Sequence, residues 1–249
     1  MPVLLGLETW DLRLAVGAAM PTEPKIVFAP TLDSEVLAIG QELLPRGFQF
    51  QMVSGSELPS ALADADFLMG FIPALSDETL LGAKQLKLVQ LMSAGYDKFN
   101  LEGARKANLP VAVNGGANAI SVAEHAIMLM LTTLKHVTEL DHRVRSGAWR
   151  SADHGGLRIH ELCTSTVGIV GMGRIGQEVA RRLQGWQARL LYYDPYRLNS
   201  EREAELNLTY QPLDDLLRAS DVVSVHVPLN AETRNLIDDE SLSIMKPTA

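Results

Sequence analysis

One continuous stretch constrains this chain more than any other: Thr166-Val-Gly-Ile-Val170, then Gly171-Met-Gly173-Arg-Ile-Gly176, then Gln177-Glu-Val-Ala-Arg-Arg-Leu183. An apolar run of strand length leads into glycines spaced G-x-G-x-x-G, and helical periodicity follows at once. The next strand-like run, Arg189–Tyr193, ends at Asp194, 18 residues past Gly176. That is close to the ~20 expected of a dinucleotide-binding turn. Gly171 permits the tight turn, Gly173 lets backbone approach a pyrophosphate, and Gly176 lets helix and strand pack closely. The helix amides and dipole then face the phosphates, with Arg174 placed to add charge. Asp194 is expected to accept from the adenosine ribose hydroxyls. A carboxylate there repels a 2′-phosphate and favours NAD over NADP, although Arg197 lies three residues on. Glycine spacing alone is a weak signal in a chain with 19 glycines; the flanking strand, helix and Asp194 give it weight.

The same alternation runs along the chain. From residue 25, strands are predicted at Ile26–Ala29, Phe48–Val53, Phe67–Gly70, Leu88–Leu91 and Val111–Val113. Helical patterns fall at Ser34–Leu44, Asp77–Leu81 and Leu101–Ala107, with a weaker one at Glu57–Leu62. Five strands separated by helices suit a flavodoxin-like, doubly wound α/β domain over 25–118. Residues 119–249 read as a Rossmann dinucleotide-binding domain, C-terminally incomplete, with further elements at Leu213–Ala219 and Val222–Val227. Between the two, Ser121-Val-Ala-Glu124 has the form of a capping box. It opens a predicted helix to Val144, 24 residues and about 36 Å long at ~1.5 Å per residue. Its first half is apolar nearly all round, so neighbours must bury it on several sides. A homodimer interface through 121–144 and burial within one chain both satisfy that demand.

Composition excludes several classes. The 249 residues carry a formal charge of −8, which argues against gripping nucleic acid or an anionic membrane. Cys163 is the sole cysteine, so no internal disulfide or Cys-rich metal site forms, and a reducing compartment fits. The longest apolar helical stretch, Ala126–Leu131, is far below the ~20 residues a bilayer needs. Residues 1–24 lack a secretory pattern and read as a tail, with Met20 an alternative start; the expected location is cytoplasmic.

Four separated segments resemble the D-isomer-specific 2-hydroxyacid dehydrogenases. They are Ser93-Ala-Gly-Tyr-Asp97, Asn118 through Ser121-Val-Ala-Glu-His125, Val167 through Gln177, and Asp221-Val-Val-Ser-Val-His-Val-Pro-Leu229 with Thr233. The resemblance implies NAD-dependent hydride transfer at the CH–OH group of a D-2-hydroxy acid. It implies that Ala94 and Gly95 bind the substrate carboxylate through backbone amides. By the same resemblance, Arg174 and Ile175 cover the pyrophosphate, and Val227, Pro228 and Thr233 line the adenosine side. The family's catalytic arginine, acidic residue and histidine have no counterpart in these 249 residues, so no catalytic residue is assigned and little turnover is expected.

The remaining candidates are weaker. His226 ends a strand and reads as structural. Glu139-Leu-Asp-His142 with His136 has metal-like spacing, but a single copy is more often a solvated face, and no metal is expected. Lys84, Lys87, Arg143 and Arg145 read as exposed helix charges. Two further possibilities stay open: an NAD(H)-binding regulatory or partner-binding module without catalysis, and a non-functional fragment. The latter would expose the raw edge of a three-stranded cofactor sheet.

Overall fold

Short apolar runs build two all-parallel sheets in a computed structural model describing residues 23–44, 46–150 and 155–249. The chain divides into two compact units, one ending at Ala117 and the other beginning at Asn118. The tail reading for 1–24 falls, apart from Glu23 and Pro24, outside the described residues.

In the first unit β1 (Lys25–Ala29), β2 (Gln49–Met52), β3 (Phe67–Gly70), β4 (Leu88–Leu91) and β5 (Val111–Val113) lie in the order β2-β1-β3-β4-β5. That is the flavodoxin order. The connecting helices are α1 (Ser34–Leu43), α2 (Leu58–Ala61), α3 (Asp77–Gly82) and α4 (Leu101–Lys106). Three of them start on polar caps: Asp33 accepts from Val36 N, Ser76 from Thr79 N and Asn100 from Gly103 N. The core runs through the central strands, where Val27, Leu68 and Val89 are fully buried.

The second unit opens with α5 (Ala119–Leu134) and α6 (Val137–Arg145). The single helix predicted over 121–144 is therefore two. His136 adopts φ +50°, and the chain that follows the helices returns to the break: His160 N donates to Leu134 O, and His136 Nε2 meets Arg158 O at 3.1 Å. His160 thus satisfies a carbonyl that an unbroken helix would have used. The capping box also fails. The N-cap is Asn118, without a side-chain cap bond; Ser121 lies inside α5, and Glu124 pairs loosely with Arg182 at 3.8 Å. Nor is α5 buried on all sides. Ala119, Ala123, Ile127, Met130 and Leu134 face the core, whereas Ile120, Met128 and Leu129 are about half exposed.

The second sheet has four strands rather than three: β6 (Thr166–Val170), β7 (Arg189–Tyr193), β8 (Leu208–Tyr210) and β9 (Val222–Val225), ordered β8-β7-β6-β9. The helices are α7 (Arg174–Leu183), α8 (Ser200–Glu205), α9 (Leu213–Ala219) and α10 (Asp239–Ile244). Of these, α8, β8 and α10 had no sequence expectation, and β9 stops two residues short of its predicted end. Both faces are covered near the centre. Val167, Ile169, Leu190 and Tyr192 pack in one cluster with Val179 and Leu183 of α7. Val170 and Leu191 pack with Leu216 and Leu217 of α9.

Candidate functional site

The carboxyl ends of β6, β7 and β9 are tied together by backbone bonds. Gly171 N donates to Tyr193 O at 2.8 Å, and His226 N donates to Val170 O at 2.7 Å. At Gly171 φ is +94°, and a Cβ would lie 2.8 Å from the His226 carbonyl carbon and 2.9 Å from Val227. Glycine alone meets both demands. Gly176, buried in the first turn of α7, would put a Cβ 2.2 Å from Gly171 O, so the helix lies directly on the turn. Gly173 is different. It is the N-cap of α7 at φ −72°, it is exposed, and a Cβ there would meet nothing within 4 Å. No side chain caps α7, and its first-turn amides stand at the positive end of the helix dipole. Arg174 is exposed beside them, and Ile175 packs partly against the core.

Asp194 follows β7 and faces the same turn. Its Oδ2 accepts from Met172 N at 2.7 Å and its Oδ1 from Tyr196 N at 2.8 Å. A carboxylate has roughly four acceptor positions, so capacity remains for sugar hydroxyls. Past β9, Val227 packs against the core, and the segment after it closes on itself. Glu232 N and Thr233 N both donate to Asn230 Oδ1 at 2.9 Å, Asn230 N donates to Thr233 Oγ1 at 3.0 Å, and Thr233 Oγ1 donates to Pro228 O. The nine residues singled out in this unit are thereby gathered at one end of one sheet.

The sequence reading missed the support behind them. Gln177 Nε2 donates to Met172 O at 3.1 Å, and Gln177 Oε1 accepts from Arg202 of α8 at 2.7 and 3.0 Å. The same helix carries Glu203, which engages Arg197. The available signal was Asn199 before an acidic turn, and Asn199 does cap α8 through Arg202 N.

In the first unit, Ala94 and Gly95 are exposed just past the carboxyl end of β4. Ser93 Oγ donates to Gly95 O at 2.7 Å, and Asn114 N donates to Ser93 O at 3.1 Å, which fixes the loop.

Other candidates take structural roles. The His226 ring meets Ser224 Oγ at 2.8 Å, and burial pushes its imidazole below the ordinary value. Glu139 is paired with Arg143, and Arg145 with Asp141. Lys87 is not on a helix; it pairs with Asp66 immediately before β4. Among the described residues, no group of His, Cys, Asp and Glu is arranged to hold a metal, and no helix is long and apolar enough to cross a membrane.

The chemistry of this end of the sheet fits a dinucleotide: open space at Gly173, a helix N-terminus for a diphosphate, and a carboxylate with acceptor capacity for ribose. Residues 127–249 match the family described as D-isomer specific 2-hydroxyacid dehydrogenase, NAD binding domain. A glyoxylate reductase of Pyrococcus horikoshii is 34% identical over 229 residues, a match covering 86% of this chain and 67% of the relative. The chain belongs to the D-isomer-specific 2-hydroxyacid dehydrogenase family. A second family relative, glyoxylate reductase of Pyrococcus furiosus, is 37% identical over 201 residues. That match covers 78% of this chain and 59% of the relative, so the chain spans under two thirds of its length. Among solved structures, D-lactate dehydrogenase from Aquifex aeolicus, complexed with NAD and lactic acid, superposes with a TM-score of 0.75 at 28% identity. It covers 89% of this chain and 66% of that one. The family's NAD binding domain therefore includes the whole Gly171–Thr233 constellation.

Proposed function

We propose that this chain supplies the cofactor cradle and the substrate-carboxylate loop of an NAD-dependent oxidoreductase acting on the CH–OH group of a small D-2-hydroxy acid. The observation that carries the reading is the open Gly173 position at the start of α7, with Met172 N bonded to Asp194. In this reading Gly171, Gly173 and Gly176 shape the turn, and the amides of Arg174 and Ile175 bind the diphosphate. Asp194 accepts from the adenosine ribose, while Val227, Pro228 and Thr233 border the adenosine. Backbone amides of Ala94 and Gly95 take the substrate carboxylate, the kind of contact oriented N–H groups make with anions. Bound NAD supplies the hydride acceptor. No residue of this chain is assigned to proton transfer: His226, the histidine nearest the cradle in sequence, is hydrogen-bonded to Ser224, and burial pushes its imidazole below the ordinary value.

Two finer features belong to the same reading. The half-exposed Ile120, Met128 and Leu129 of α5 support a homodimer through that helix region. The single, unpaired Cys163 supports a cytoplasmic setting.

Calorimetric titration with NADH tests the cradle. Saturable binding to the folded chain is expected, and a folded sample silent at millimolar NADH would sink the proposal. Turnover of glyoxylate or D-lactate by these 249 residues should be at or near background, since an absent acid–base pair forfeits about 10²–10⁴-fold. Ordinary enzymatic rates would overturn the statement that none of these residues transfers the proton.

A further inference from the structure

A dinucleotide turn distinguishes NAD from NADP by what surrounds the 2′ position of the adenosine ribose. A carboxylate after the second strand takes the 2′-hydroxyl, whereas a nearby arginine accommodates a 2′-phosphate. This chain carries both residue types, Asp194 and Arg197, three residues apart on one loop. Sequence leaves their competition open.

The structure shows where the arginine is committed. Arg197 Nε and Nη2 reach the two oxygens of Glu203 at 2.8 and 3.0 Å, the parallel fork that arginine makes with a carboxylate. Its guanidinium also lies 5.0 Å from the centre of the Tyr210 ring. Glu203 is anchored in turn. Its Oε1 accepts from the hydroxyl of Tyr192 at 2.7 Å, and that hydroxyl accepts from Leu198 N at 3.0 Å. Tyr192 is fully buried in β7, so the latch is fastened to the core rather than to a mobile surface group. Bonding to Arg197 and Tyr192 brings the Glu203 carboxyl down to about 2, and the pair therefore stays ionised at any physiological pH.

We propose that Glu203 is a specificity-determining residue, which enforces NAD over NADP by latching Arg197 away from the ribose 2′ position. The inference rests on the cofactor reading above. Discrimination then has two layers. Asp194 sets a negative charge beside the 2′-hydroxyl, and Glu203 occupies the nearby cation that a 2′-phosphate would otherwise recruit. Arg197 acts in neither nucleotide complex while the latch is closed.

The test is titration of NADH and NADPH into the full chain and three variants, with thermal melting as the check on folding. Glu203→Gln keeps an acceptor for Tyr192 but weakens the grip on Arg197. It should tighten NADPH by roughly three- to tenfold, the scale of one new charge-assisted contact, and leave NADH within about twofold. Adding Arg197→Ala to it should erase the gain. Arg197→Ala alone should leave NADPH affinity as it is, because the side chain is latched; this variant can overturn the inference even if Glu203→Gln does not fold. Unchanged NADPH affinity in folded Glu203→Gln, with NADH binding intact, overturns this inference alone. A tenfold loss of NADPH affinity in Arg197→Ala does the same, since Arg197 would then already hold the phosphate. A chain that binds neither nucleotide overturns the cofactor reading and this inference with it.

Discussion

Two glycines of one fingerprint carry opposite consequences. At Gly173, φ −72° suits any residue and an added methyl meets no protein atom, so Gly173→Ala should melt at or slightly above the parent temperature. The methyl instead occupies the space assigned to the diphosphate, and NADH affinity should fall about tenfold, ~1.4 kcal/mol. At Gly176 a methyl would sit 2.2 Å from Gly171 O, a backbone atom. Gly176→Ala should therefore cost ~1–3 kcal/mol of stability in denaturant unfolding. Equal stability losses in the two variants would show that the open space at Gly173 is not there. Gly171 and Gly176 were legible in the sequence because backbone geometry demands them, whereas Gly173 answers to the ligand proposed there. The commitment of Arg197 was not legible. It depends on Glu203, and Ser200-Glu-Arg-Glu-Ala-Glu205 has no apolar stripe by which α8 could be recognised.

Among elements, the two sheets solve one problem identically. A strand that pairs with the first strand of its unit must start in register, and an aspartate at its amino end fixes that register. Asp66 N donates to Lys25 O, and its carboxylate accepts from Lys25 N at 2.9 Å and pairs with Lys87. Asp221 N donates to Thr166 O, and its carboxylate accepts from Thr166 N at 2.8 Å and pairs with Lys246. Burial pulls each carboxyl upward, but the lysine and the backbone N–H outweigh it, so both lie below the ordinary aspartate value. Their stabilisation is complete above the unfolded-state value, ~3.9. It is lost as pH falls from there through the lower folded-state values. Asp66→Asn and Asp221→Asn should each cost about 1 kcal/mol at pH 7, a figure reduced for their partial exposure. The double variant should lose less stability than the parent between pH 5 and 3, a flattening measurable by urea unfolding. Strand bounds such as Phe67–Gly70 and Thr166–Val170 were readable because apolar runs end at turn residues. The break at His136 was not, since it is set by the returning residues 158–160, distant in sequence.

At the scale of the whole molecule, the second unit leaves two surfaces on which a partner copy could rest. One is the outward side of α5, where Ile120, Met128 and Leu129 are 55, 49 and 50% exposed. The other is β9, paired among the described residues with β6 alone, where Val225 is 47% exposed. They differ in chemistry. An edge strand offers a row of backbone donors and acceptors that any extended chain can satisfy. A helix face offers apolar area, which becomes stabilising only when a complementary apolar face covers it. Helix α5 has mean hydropathy too high for a solvated helix yet commits one side to α7 and the sheet, so its other side is the stronger candidate. The chain should sediment as a dimer at micromolar concentration. Ile120→Glu with Met128→Glu should return it to a monomer, because two buried carboxylates without partners are costly at any interface. NADH binding should survive, since neither residue belongs to the Gly171–Thr233 constellation. A variant that remains dimeric would move the interface to β9, and Val225→Lys would then be the substitution that separates the copies.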